Sequence, residues 1–572
     1  MKKNLFLCIM LMAASAAMAC TNFIVGKKAS ADGSVFVTYN ADSFGAFMPL
    51  YHYPAAKHQP GDMRKVYEWD TNKYLGEIAE APETWNVIGN TNEWQVTIGE
   101  TTFGGRHEMA DSTGIIDYGS LIYITLQRAK TAREALQLMT SLVEQYGYYS
   151  EGETFSVADP DEAWMLEMMG CGPDRTKSRE RTVWVAVRIP DDAIAAHANQ
   201  SRITQFLDGR YTPVKMKDLL KKYPVNGKKP VPNLVVYSDN VVKYARTMGW
   251  FEGKDAEFSY NAAYAAPDFS GRRYCEARVW SFFNRFSSDF SQYVPYAAGI
   301  EKDAKPMPLW IIPNKKVALN DLRDAMRDHY EGTPFALDSD IGGGMFQMPY
   351  RVSPLSYKVD GKEYFNERPV STLQTAWSFI SQMRSWLPRE IGGCFWFGND
   401  DGNMVPYTPM YNCMTRLPKC FSGEGADDVT FSMDNAYWVC NWVSNMVYPR
   451  YSMMFPSLQA VRDSLDASYA QLQAQIEIKA QAMEGDKRIK FLTDYSCQKG
   501  EEMIDRWRQL AFFLIVKYND MVVKPTDKHG RFERSKFGGG ARVQRPGLPE
   551  TYARELVRQS GAKFAVPVEE KK

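Results

Sequence analysis

The stretch Ala17-Met18-Ala19-Cys20-Thr21-Asn22-Phe23-Ile24-Val25-Gly26 decides how this chain is read. Upstream of it, Lys2 and Lys3 supply a positive start, and Leu5 to Met12 form an apolar run too short for a membrane span. Ala13 to Ala19 are mostly small and end in Ala-x-Ala, so residues 1–19 have the pattern of a secretory signal peptide cut before Cys20. Such a cut makes Cys20 the first residue of the exported chain. One residue then carries a thiol and a free α-amine, a nucleophile with its own base. Two other readings stand beside this one. Cys20 is simply the first residue of a strand, or it is the acylated cysteine of a surface lipoprotein. Ala17 stands where a lipoprotein signal usually has Leu, and lipidation would consume both thiol and amine.

Downstream, Thr21 to Val25 and Val35 to Tyr39 have strand composition, and Lys27 to Ser34 form a turn with Asp32-Gly33 near its end. Pairing the two strands sets Cys20 roughly opposite Asn40 to Asp42. Asp42 is thus the candidate carboxylate for holding the Cys20 amine and aiming it at the thiol. A solvated strand end is the plainer reading of Asp42.

The rest of the composition narrows the function class. The chain has 572 residues, 45% hydrophobic and 13% aromatic, with a formal net charge of +0. That is enough apolar material for a large core. No basic stripe or recognition motif points to nucleic acid. After residue 19 the longest apolar run, Leu510 to Val516, is flanked by Arg508 and Lys517 and has the look of buried helix, so no transmembrane segment is expected in the mature chain. Nine cysteines include Cys8; the other eight are irregularly spaced, with Cys413 and Cys420 close enough in sequence to pair. His107-Glu108 lacks the second His of a zinc-protease helix, since Asp111 occupies that place, and there is no C-x-x-C. No metal or cofactor is expected.

Taken in order, Trp85 to Thr102 has the composition of a hairpin turning at Asn90 to Glu93. Tyr118 to Tyr146 has helical character, with a capping box at Thr131 to Glu134 and Gly147 as the stop. Phe155 to Met168 form a hairpin turning at Asp159-Pro160-Asp161, and Arg181 to Arg188 a further strand. Asn199 lies in the loop after the next strand, where Asn is ordinarily a turn residue. Arg272 to Arg285 begin a helix on which Arg278 is one basic residue among several. Thr372 to Trp386 are assigned an amphipathic helix and Gly392 to Gly398 a buried strand. Two helices with apolar stripes follow, one capped by Ser457 and one around Met503 to Leu514, and the tail from Lys524 is expected to be extended.

With these residues in view, the opening block from Cys20 to Ser34 and Asn40-Ala41-Asp42 resembles the start of the secreted cysteine dipeptidases. These are N-terminal-nucleophile hydrolases related to penicillin V acylase and the bile salt hydrolases. Weaker matches follow in order: Asp159 to Glu167, Asn199 to Ile203, Tyr330 to Pro334, Phe395 to Gly398 and Tyr437 to Val439. The resemblance implies an α+β fold, a four-layer αββα sandwich over residues 20–455, with an added helical hairpin over 456–520 and a tail over 521–572. It implies Cys20 as nucleophile, its amine as base, Asp42 near that amine, Asn199 as oxyanion donor and Arg278 near the nucleophile. Tyr39 departs from the pattern, since many relatives have arginine there. The implied activity is hydrolysis of dipeptides outside the cytoplasm, periplasmic or extracellular, after signal peptidase cleavage. The homo-oligomeric state is left open. Two alternatives are an amidase or acylase on non-peptide amides and a non-catalytic lipoprotein.

Overall fold

The computed structural model describes residues 20–176, 178–224, 231–301 and 303–568. The expected signal segment lies outside them. The architecture is mixed α+β, with two large sheets and two long C-terminal helices. The first sheet has seven strands, in the order Trp310–Ile311, Ile194–His197, Asn22–Val25, Val35–Asp42, Thr375–Met383, Cys394–Asn399 and Thr408–Tyr411. All neighbours in it are antiparallel. Asn22–Val25 therefore lies inside the sheet, paired on both sides. The second sheet has nine strands and is built around Thr97–Gly104, Gly152–Ala158, Ala163–Gly170 and Thr182–Ile189.

Side chains join the two sheets. Thr97 Oγ1 lies 2.7 Å from Ser381 Oγ, and Asn22 Nδ2 donates to Glu100 O at 2.6 Å. This last contact requires Gly99, since a β-carbon there would strike the Asn22 side chain. His197 is fully buried between Thr101 Oγ1 and Ser156 Oγ, each 2.7 Å from one ring nitrogen. Burial, with Arg202 nearby, pushes its pKa down to about 3. The unfolded chain takes up that proton near pH 6.5 and the folded chain only near 3, so stability falls as pH drops through this window. Between pH 7 and 5 the loss from this group is about 2 kcal/mol. Urea unfolding at the two pH values is expected to show that difference shrinking by the same amount in His197→Gln.

The hairpin at Asp159 to Asp161 forms as the turn chemistry predicts, with Ala158 paired to Ala163. The helices Tyr118–Leu126 and Ala132–Tyr146 make the expected pair; Thr131 caps the second and Gly147, at φ 79°, ends it. Several expectations need correction. Thr372 to Trp386 is not a helix: Thr375–Met383 is a central strand, buried along its whole length. A strand covered on both faces has no alternation to reveal it, and its apolar run is indistinguishable from buried helix. Between Trp85 and Thr102 the chain makes short strands Val87–Ile88 and Thr91–Asn92, with the first reversal at Gly89-Asn90 rather than at Asn90 to Glu93. Cys413 and Cys420 are both free and buried.

The first long helix is Tyr451–Gln481 and the second Gly485–Tyr518. The first begins ahead of Ser457 and runs through Pro456; Ser457 Oγ meets Tyr518 Oη at 2.8 Å instead of capping. The segment after Lys524 is not wholly extended, since Glu550–Ser560 is a helix. Two buried ion pairs fasten the long helices to the body. Glu477 accepts from both Arg384 Nη atoms at 2.6 and 2.9 Å. Asp466 accepts from Arg327 Nη2 at 2.7 Å and from the Tyr407 backbone N–H at 2.9 Å. Among the described residues no helix is long and apolar enough to cross a membrane.

Candidate active site

Register brings the site together. Thr21 exchanges backbone hydrogen bonds with Asn40 at 3.1 and 2.9 Å, which sets Cys20 beside Ala41 and Asp42, as the hairpin reading requires. On the other flank Asn22 pairs with His197. Continuing that antiparallel register outward carries Asn199 level with Cys20. Cys20 is fully buried.

Arg278 ties these pieces into one unit. It lies where a single π-helical turn, Gly271–Glu276, runs into the helix Ala277–Arg285. Its Nε donates to Tyr274 O at 2.7 Å. Nη1 donates to Cys20 O at 2.8 Å and Thr21 Oγ1 at 2.7 Å. Nη2 donates to Ala198 O at 3.1 Å and Asn199 Oδ1 at 3.0 Å. The planar guanidinium thus fixes the backbone of Cys20 and the amide of Asn199 relative to each other. With Oδ1 held by Arg278, Asn199 turns its Nδ2 outward and gives one hydrogen to Thr102 O at 2.7 Å. Asn199 sits at φ 61°, a left-handed conformation that Asn tolerates better than most residues.

Asp42 is buried and occupied. Its Oδ1 accepts from Thr375 Oγ1 at 2.7 Å and its Oδ2 from Arg368 Nη2 at 2.9 Å. A register shift between Ala41 and Asp42 opposite Thr375–Met383 turns the Asp42 side chain toward these partners. Burial lifts its pKa above the usual carboxylate range, although Arg368, Thr375 and Arg278 oppose the rise.

Two side chains at the thiol were not singled out by spacing. Cys20 Sγ lies 3.1 Å from Tyr39 Oη and 3.6 Å from Glu100 Oε1, and Tyr39 Oη itself donates to Glu100 Oε1. Burial pushes the thiol well above the usual cysteine range, and Glu100 and Asp42 push the same way. Glu153 adjoins Glu100, on the neighbouring strand. Burial and the charge of Glu100 push the Glu153 carboxyl well above its usual range, and burial raises Glu100 as well. Their signal in the sequence is the repeated Gly-Glu-Thr, at Gly99-Glu100-Thr101 and Gly152-Glu153-Thr154, each holding the one charge of its strand. Beside Asn199 opens a cleft of about 470 Å³ lined by Phe103, Arg106, Gln200, Tyr264 and Cys275 among others.

These residues, a buried cysteine at the head of an internal strand linked through a buried arginine to an asparagine that borders a cleft, sit in a mixed α+β fold. A model of peptidase family C69 matches residues 19–68 and 48–464, and the chain belongs to this cysteine peptidase family. It is similar to a "Probable dipeptidase" of Salmonella dublin, 27% identical over 437 residues that cover 72% of this chain and 86% of that protein. Dipeptidase A of Lactobacillus helveticus is 24% identical over 445 residues, 73% of this chain and 80% of that one. A dipeptidase of Bifidobacterium longum is 26% identical over 369 residues, 58% and 63% of the respective chains.

Proposed function

We propose that this chain is an exported dipeptidase, active in the periplasm or outside the cell, whose nucleophile is Cys20 exposed as an N-terminal residue by signal cleavage. The observation that carries the reading is the Arg278 bridge between Cys20 and Asn199 within a family C69 chain. Cut before Cys20, the chain has a free α-amine of reference pKa about 7.7–8.0, a base suited to neutral pH. The two facing sheets agree with the four-layer N-terminal-nucleophile arrangement.

In this mechanism the amine takes the thiol proton and sulfur bonds to the peptide carbonyl carbon. Negative charge moves to the carbonyl oxygen, where the Asn199 side-chain amide stabilises it. The ammonium then protonates the leaving nitrogen, the C–N bond breaks, and the C-terminal amino acid departs into the cleft. A water gives its proton to the same amine and attacks the thioester, releasing the N-terminal amino acid and restoring the thiol. Arg278 acts as a positioning residue, and Asp42, set by Arg368 and Thr375, holds the amine.

Intact mass and N-terminal sequencing of protein exported by its own signal test the reading. A mature chain starting at unmodified Cys20, active on dipeptides and not on acyl-amides such as penicillin V, is the expected result. A lipid-sized increment or another start overturns it. Asn199→Ala is expected to lower kcat by about 100- to 1,000-fold with little change in KM. An unchanged kcat would remove Asn199 from the oxyanion site.

A further inference from the structure

Glu100 is in the wrong place for ordinary catalysis by a thiolate. Its Oε1 is 3.6 Å from Cys20 Sγ, it is 1% exposed, and a negative charge there opposes the thiolate. The Glu153 side chain hydrogen-bonds to Glu100, no other donor reaches Glu100 Oε2, and among the described residues no lysine, arginine or histidine pairs with Glu100 or Glu153. Asp70, which accepts from Tyr118 Oη at 2.8 Å, adds negative charge to the same region. A buried carboxylate cluster without a cation is costly. Beside it lies a small pocket of about 20 Å³, lined by Glu100 and by the rings of Tyr39, Trp69, Tyr118, Tyr123 and Trp377, among others. A space of that size holds about one water. An acid set among aromatic rings is the chemistry that receives a small organic cation.

We propose that Glu100, with Tyr39 and Glu153 behind it, is the site that takes the α-ammonium group of the substrate's first residue. The substrate geometry fits: the α-nitrogen is two bonds from the carbonyl carbon that sulfur attacks, about 2.5 Å away. A carboxylate oxygen near Sγ is therefore within reach of that nitrogen when the thiol is in line with the carbonyl. The site explains how the enzyme counts from the amino end, since a longer N-terminal extension has no ammonium at this place. Tyr39 supports this role, since it orients Glu100 by donating to Oε1 without bringing a positive charge. The docked ammonium in turn offsets the charge that opposes the thiolate, so the correct substrate eases formation of its own nucleophile.

The proposal rests on reading Cys20 as the nucleophile. Wild type and Glu100→Gln, both confirmed by intact mass to start at Cys20, are assayed on alanyl-alanine and on propionyl-alanine, which lacks only the amine. Wild type is expected to prefer alanyl-alanine by about 1,000-fold or more in kcat/KM. Glu100→Gln is expected to lose about 100-fold in kcat/KM on alanyl-alanine, while its rate on propionyl-alanine does not fall, since the charge that opposes the thiolate is gone. Wild type cleaving both substrates equally overturns the proposal without any variant, so a Glu100→Gln that fails to fold leaves it testable. Equal loss on both substrates also overturns it, since that marks a structural role or one toward the amine of Cys20. Activity in Cys20→Ala would instead sink the nucleophile assignment, a result separate from either of these.

Discussion

Cys20→Ala is expected to abolish dipeptide turnover, by about four orders of magnitude or more in kcat, while the protein folds with unchanged stability. The mechanism has no substitute for the sulfur, because the covalent thioester forms on it. The remaining described cysteines offer none either: Cys171, Cys275, Cys394, Cys413, Cys420, Cys440 and Cys497 are buried, and none of them would carry the chain's free α-amine as its base. Alanine at position 20 removes one buried sulfur and leaves the backbone carbonyl that Arg278 holds. Circular dichroism and thermal unfolding of the variant should therefore overlay on wild type. Residual turnover within tenfold of wild type would refute the nucleophile.

Asp466→Ala is expected to cost about 3–5 kcal/mol of folding stability, measured by urea unfolding. Burial works against the Asp466 charge, but Arg327 and Arg323 outweigh it and hold the carboxyl below its usual range. The variant leaves both guanidiniums buried without their counter-ion, in a region where Arg323 is 2% exposed. It also strips the Tyr407 N–H of its acceptor. The effect is larger than for the exposed pairs along the same helices, such as Lys490 with Asp494, where solvent screens the attraction. A loss below 1 kcal/mol would mean that the helix pair is held by its apolar stripe alone. The stripe itself, through Leu458, Leu465, Tyr469, Trp507, Leu510 and Leu514, is buried as its spacing requires.

What could be read from the residues follows a physical division. The opening hairpin was legible because turn chemistry and strand composition are local, and register then places Cys20 near Asp42 without further information. The helix pair around Thr131 was legible for the same reason. Asn199 and Arg278 were not legible from pattern, since a loop asparagine and a helix arginine are ordinary by spacing; the resemblance alone singled them out. Their proximity depends on strands far apart in the chain meeting in one sheet. Glu100 and Glu153 went unremarked although each interrupts an uncharged strand. A buried carboxylate is informative only once burial is known, and burial of a given strand face is a tertiary fact. The misassigned Thr375–Met383 strand shows the converse, where complete burial erases the alternation that would have identified it.

Chain ends usually fray, and the first residues of a domain ordinarily exchange their amide hydrogens within the shortest times. Here the segment Asn22–Val25 has a hydrogen-bonded neighbour on each side and a sheet across its face. Its amides can open only when the whole sheet does, so their exchange should report the global unfolding free energy. With Cys20 as the proposed nucleophile, its thiol would ride on a strand held on both sides, and adjusting to different substrates would fall to the loops that border the cleft.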